Sequence, residues 1–309
     1  MTRKHCRAAA AALALALLTA AAQAQTTAPR PASAPPAAPK LASGNGKLLM
    51  TGGVTSIDGA AGGGLTPWAV IGSYATDGQY GATAFVTRAT TQDYGMTTYG
   101  AALGIGDRVE VSLARQAFDA GVVVPGTTLK LDIVGVKFKV AGDAVLDADN
   151  WAPQIAAGAE FKRVDPGATV GGVLDSVGAR RNGVDLYLSA TKLFLAQGIL
   201  VNGTLRATRA NQNGLLGFGS ADRNGYWIEP EVSVAWLLRR DLAIGAEYRF
   251  KPNNLAFAGA ALREDDWKDL FIAWAPSKRV SVTAAYVDFG NIVGHEHQTG
   301  SYLSVQIAY

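Results

Sequence analysis

The sequence predicts an all-β protein: a transmembrane antiparallel up-and-down β-barrel of about fourteen strands, with twelve as the smaller even count that its segments allow. Three observations carry that expectation. Segments of about ten residues alternate apolar side chains with polar or small ones. The connections between them alternate short and long. A basic, alanine-rich start and a strand-like end on an aromatic residue frame the whole.

The chain starts with Arg3, Lys4 and Arg7, followed by the apolar run AAAAALALALLTAAA, and Ala22-Gln23-Ala24 fits a small-residue cleavage site. Residues 1–24 therefore read as a secretory signal peptide. The run is short and only weakly hydrophobic, which argues against a membrane anchor. The one cysteine, Cys6, leaves with the signal, so the mature chain has no disulfide, thiol catalyst or cysteine metal site. The full chain has 28 Lys+Arg and 25 Asp+Glu, and removing the three basic residues of the signal leaves 25 against 25. No basic footprint remains, and nucleic acid is not an expected partner. Residues 25–46 are Pro/Ala-rich and read as a periplasmic linker. Residues 47–309 are left for the barrel.

The expected strands lie near 47–55, 66–75, 80–90, 96–105, 109–118, 129–141, 152–162, 183–194, 199–210, 226–238, 242–251, 267–275, 280–289 and 299–309. LAIGAEYRFK is the clearest: Leu242, Ile244, Ala246, Tyr248 and Phe250 share one face, and Ala243, Gly245, Glu247, Arg249 and Lys251 the other. In RVEVSLAR, Val109, Val111 and Leu113 oppose Glu110, Ser112 and Ala114. In PEVSVAW, Val232, Val234 and Trp236 oppose Glu231, Ser233 and Ala235.

Counting back from Tyr309, the connections alternate: 290–298 long, PSKR short, 252–266 long, RRD short, 211–225 long, AQG short, 163–182 long. Short turns on one side and long loops on the other are the pattern of an outer-membrane barrel, with GDAVLDADNW unusually long for a turn. Aromatic residues on the apolar parity form two belts. Trp236, Trp274 and Tyr309 fall at the short-turn end; Tyr226, Tyr248, Phe250, Phe161 and Tyr286 fall towards the long loops. Such girdles suit the two interfaces of a bilayer, so outer-membrane lipids are expected partners and the outer membrane of a Gram-negative bacterium the expected location.

The ending resembles the C-terminal signal of outer-membrane proteins: Gln298 and Gly300, then Leu303 and Val305, finishing on Tyr309. That resemblance implies recognition of the last strand by the outer-membrane protein assembly machinery. The stretches GGGLTPWAVIGSYAT, GDRVEVSLARQ, ATKLFLAQGILVNGTLRATRANQNGLLGFG, GAEYRFKPNNL and AYVDFGNI resemble an uncharacterised proteobacterial family, domain of unknown function 3034. The resemblance spans nearly the whole mature chain. It implies fold and location, and nothing about substrate.

Function is therefore sought on the inner face. Parity places Glu160, Lys162, Asp185, Arg206, Glu229, Glu231, Glu247, Arg249, Lys251 and Asp269 in the lumen, with Glu231 opposite Arg249 and Glu229 opposite Lys251 across the RRD hairpin. Charges enclosed in a barrel must pair, which makes a structural network. The same residues at a constriction orient polar solutes in a pore. The expected function is a porin-like channel or transporter for small solutes, because an unplugged barrel of this width holds water. The alternative is a closed structural or assembly barrel with a charge-networked lumen.

An outer-membrane lipid-modifying enzyme is the third class, and no enzyme is expected. Serine chemistry ordinarily needs a positioned histidine, and the mature chain has only His295 and His297, both in a loop. No cofactor is expected. His295-Glu296-His297 offers too few ligands for a metal site. Asp147, Asp149 and Asn150 fit Asx-turns as well as they fit a calcium loop. GAAGGG at 59–64 lacks the Gly-Lys-Ser/Thr of a phosphate loop and reads as a flexible connection.

Overall fold

The computed structural model describes residues 40–41, 46–145 and 151–309. Twelve wall strands follow one another in sequence. They are β1 (Gln79–Thr91), β2 (Gly95–Ile105), β3 (Val109–Asp119), β4 (Thr128–Ala141), β5 (Gln154–Asp165) and β6 (Asn182–Phe194). The second half comprises β7 (Ile199–Thr208), β8 (Trp227–Arg239), β9 (Leu242–Arg249), β10 (Trp267–Ser277), β11 (Val280–Asp288) and β12 (Thr299–Ala308). Each pairs antiparallel with the next, and β12 pairs with β1 from Ala308–Thr83 to Gly300–Thr91. Tyr309 completes the seam: Ala82 N–H donates to its carbonyl at 2.9 Å, and its own N–H donates to the Ala82 carbonyl at 2.8 Å. Closure satisfies the strand edges internally, which a sheet in hydrocarbon requires.

The wall is inverted relative to a water-soluble sheet. Along β3 the outward Val111 and Leu113 are 40% and 56% exposed, whereas the inward Glu110, Ser112 and Gln116 are buried. The same holds around the ring, where Phe138, Leu186, Ile272, Leu303 and Ile307 are exposed. An apolar outer band with a polar interior is the arrangement of a transmembrane β-barrel. Trp236, Trp274 and Tyr309 are exposed at one end of the band, and Phe161, Tyr226 and Tyr286 towards the other. Phe250 departs from the expected girdle. It lies just past β9, where the chain turns inward, and it is buried with its ring 4.7 Å from that of Tyr248. Outward positions become charged at the long-loop end, at Arg88, Arg115, Lys130, Arg163 and Lys268, marking the edge of the apolar band.

Connections 106–108, 195–198, 240–241 and 278–279 are short and share one end with 142–153. Within the last of these, Asp147, Asp149 and Asn150 lie outside the described residues, as do residues 1–24. At the other end lie 92–94, 120–127, 166–181, 209–226, 250–266 and 289–298. The 166–181 connection contains helix α1 (Gly167–Ser176), which follows Pro166 and buries Leu174 against the other loops.

Two of the fourteen expected strands, 47–55 and 66–75, are not in the wall. Residues 46–75 form an insert that runs inside the barrel, and its only ladder is a two-residue hairpin, Val54–Thr55 against Ala61–Gly62. The physical reason lies in the side chains and the backbone. Ile57, Leu65, Trp68 and Ile71 are all buried, so this stretch has no lipid face to alternate with. Met50 and Gly53 take φ of 66° and 73°, and Ser73 takes 73°, which an extended wall strand does not allow. Of the expected linker, Lys40–Leu41 pairs in parallel with Gln79–Tyr80.

Candidate functional site

The expectation of a water-filled lumen fails at the insert, whose polar backbone meets the polar inner wall. Lying away from water, its N–H and C=O groups need partners, and wall side chains supply them. Glu110 of β3 accepts from Ala61 N–H at 3.0 Å and from Gly72 N–H at 2.7 Å. Lys137 of β4 donates to the carbonyls of Ala61 at 2.8 Å and Val70 at 2.9 Å, and pairs with Glu110 at 3.1 Å. Gln154 donates to the Ala69 carbonyl at 2.7 Å, and Thr204 to that of Pro67 at 2.8 Å. Trp68 Nε1 donates to Ser233 Oγ at 3.0 Å.

Glu247 holds the insert's glycine-rich turn. Its carboxylate accepts from Leu65 N–H and Thr66 Oγ1, each at 2.6 Å, and from Ser233 at 2.7 Å. A Cβ built on Gly63 would overlap that carboxylate, so the GAAGGG stretch is a close-packed contact and not a slack connection.

Asp58, at the tip of the hairpin, is the centre of a second cluster. Its carboxylate accepts from Arg249 Nη1 at 2.8 Å and Asn213 Nδ2 at 2.6 Å, with Lys162 Nζ at 3.5 Å and Arg206 at 3.9 Å. Arg206 meets Glu160 at 2.7 Å and Glu231 at 2.5 Å, and Lys162 meets Asp185 at 2.9 Å and Glu160 at 3.2 Å. Arg249 Nε lies 3.2 Å from Glu231. Four carboxylates thus surround three cations, all buried. Buried charges persist only when paired and hydrogen-bonded in this way.

The structure places all ten candidate lumen residues inside and buried. It brings Glu160, Lys162, Asp185, Arg206, Glu231 and Arg249 into the Asp58 cluster, and Glu231 faces Arg249 in the β8–β9 ladder. Lys251 lies beyond the ladder's end and meets Glu264 at 3.0 Å and Gln212 at 2.7 Å. Asp269 sits opposite Glu247 in the β9–β10 ladder, and Glu229 opposite Arg206 in the β7–β8 ladder. Of the C-terminal residues, Leu303, Val305 and Tyr309 are exposed on the outer face, and Gly300 faces Thr91 at the seam. Gln298 is buried in the last loop, accepting from Thr91 Oγ1 at 2.7 Å.

Asp58, Glu110, Lys137 and Asn213 were not anticipated as a group. Only the parity of Glu110 and the lone acid of SIDGAAGGG hinted at them. His295 lies on its loop with Nδ1 3.2 Å from Asp93 and its ring edge-on to Tyr94. Burial, aided by the neighbouring Asp93, pushes the Tyr94 phenol up to about 12.

Several solved structures are similar to this chain. The KdgM porin is 10% identical with a TM-score of 0.46, covering 74% of this chain and 99% of its own. The NanC porin is 8% identical with a TM-score of 0.44, covering 74% and 98%. Outer membrane phospholipase A from Escherichia coli is 11% identical with a TM-score of 0.41, covering 76% and 94%. No curated protein matches the chain. The model of a protein family of unknown function, DUF3034, matches residues 51–306, a span that takes in most of the lumenal insert as well as the wall. The chain belongs to the DUF3034 family.

Proposed function

We propose that this protein is an outer-membrane transporter for small solutes whose resting state is closed by its own N-terminal insert. The single observation behind this reading is the way residues 46–75 are held. The insert is a continuous piece of chain outside the wall's ladder, tied to it by side-chain hydrogen bonds and ion pairs at Glu110, Lys137, Glu247 and Asp58. Polar contacts of that kind can exchange for water when the segment moves, whereas a wall strand cannot leave without opening the barrel. The location follows from the same reading: the outer membrane of a Gram-negative bacterium, reached by secretion and folded by the assembly machinery that recognises the last strand.

The alternative of a closed structural barrel draws on the density of the Asp58 cluster, in which Arg249, Asn213, Lys162 and Arg206 all approach the insert's one carboxylate. An enzymatic role has less support, because the His295 imidazole meets Asp93 and Tyr94, neither of them a serine or threonine nucleophile.

Planar-bilayer recording separates these readings. The parent should conduct rarely, and Asp58→Asn should open more often. If the folded parent and Asp58→Asn are equally silent, the barrel is a static structural one.

A further inference from the structure

Between the hairpin tip and the long loops lies a cavity of about 130 Å³. Met96, Phe118, Leu129, Leu174, Leu216 and Trp267 are among the residues that line it. They come from four wall strands, from α1 and from the 209–226 connection, and they belong to the same apolar cluster as Ile57 and Leu65 of the insert. Of its polar neighbours, Gln212, Thr91 and Tyr94 are turned to other partners, and the Trp267 indole N–H is buried with no hydrogen-bond partner among the described residues. Gln212 Nε2 donates to the Asn291 carbonyl at 3.0 Å, while its Oε1 accepts from Lys251. Thr91 Oγ1 donates to Gln298, and the Tyr94 hydroxyl to the Ile292 carbonyl at 3.1 Å.

A water molecule needs two to four polar partners to occupy a cavity, and an apolar void of roughly 150 Å³ in another protein stays dry and takes up benzene. The space here is of that size and character. It lies on the long-loop side of the ion cluster, under a helix whose Val173 is half exposed, so the approach is from outside the cell and not through the charged lumen. The 209–226 connection also links it to the insert: Leu215 and Leu216 line the cavity, and Asn213, two residues away, holds Asp58.

We propose that this cavity is a binding site for a small uncharged apolar molecule about the size of one aromatic ring, taken up from the long-loop side. As a statement of the transported class it rests on the transporter reading; as a binding site it stands without it.

The test is a calorimetric titration of toluene into the full mature protein refolded in detergent, with detergent alone as the blank. Ala120 lines the cavity and is buried, so Ala120→Phe fills the space; Leu216→Trp does the same from the opposite loop. Heat-modifiable gel migration identifies folded variants. The parent should show saturable binding of one toluene per chain, weakened at least ten-fold in each folded variant. Phenol, whose hydroxyl would enter an apolar space, should bind about ten-fold more weakly than toluene. Heats for the parent no greater than the detergent blank, or phenol binding as tightly as toluene, would overturn the proposal. Toluene binding by a barrel that never conducts would remove the transporter reading alone. Conduction by Asp58→Asn without toluene binding would remove this inference alone.

Discussion

Arg249 and Asp58 stand 191 positions apart in the chain, yet Arg249 Nη1 donates to Asp58 Oδ2 at 2.8 Å inside the barrel. The contact joins a wall strand to the tip of the insert, and the same guanidinium also reaches Glu231 on the neighbouring strand. Asp58 is therefore where the insert's position and the wall's internal charge balance meet.

Replacing Asp58 with Asn keeps the shape and one acceptor but removes the charge that Arg249, Lys162 and Arg206 share. Loss of a charged hydrogen-bond partner in a buried site costs about 1–3 kcal/mol. The variant should unfold at lower urea concentration when followed by tryptophan fluorescence, and it should show more frequent openings in a bilayer. Unchanged unfolding would mean that Asp58 does not hold the insert in place.

Lys137 is the corresponding tie lower in the lumen, with Glu110 as its partner at 3.1 Å. Lys137→Met leaves two insert carbonyls and a buried carboxylate without their cation, a change that costs about 3–5 kcal/mol when one member of a buried pair is lost. Adding Glu110→Gln should restore part of the loss, because the stranded charge disappears. A double variant as unstable as the sum of the two single variants would show that the residues do not act as a pair.

These two ties also show what a sequence reveals and what it hides. The wall was legible because every strand carries its own signal, an apolar face of period two such as Val109, Val111 and Leu113. The Glu231–Arg249 pairing was legible because the short RRD turn fixes the register locally. The insert was not legible, because LLMTGGVTS and PWAVIGSYA have the length and apolar content of wall strands. What sets them apart is the set of partners that their backbone finds on distant strands, such as Glu110, Lys137 and Glu247, and no local pattern encodes that. Counted as wall strands, the two segments leave the lumen empty, and Asp58 is then a single acid in a glycine-rich stretch with no local pattern to mark it.

The seam supplies the next test. Tyr309 exchanges two backbone hydrogen bonds with Ala82 and is 74% exposed on the outer face. Tyr309→Asp keeps the backbone pairing available but sets a charge at the lipid interface and removes the terminal aromatic. Secretion should continue while heat-modifiable protein in the outer-membrane fraction falls sharply, as cell fractionation with gel analysis would show. Wild-type levels in that fraction would mean the terminal aromatic is dispensable.

The outer face offers the most general check, because lipid and water predict opposite outcomes for one substitution. Ile272 is 44% exposed midway along β10, between Ile244 and Ala284 on the adjacent strands. In water, Ile272→Arg would be a surface change within about 0.5 kcal/mol of neutral. At the midplane of a bilayer the same arginine costs about 2–4 kcal/mol. Lys268 lies four residues along the same strand, outward and towards the long loops, where a charge costs about 0–1 kcal/mol. Folding into lipid vesicles at increasing urea should therefore show Ile272→Arg strongly destabilised and Lys268→Ile close to the parent. Equal, small effects at the two positions would mean that the apolar band does not face lipid, and the transmembrane assignment would fall with it.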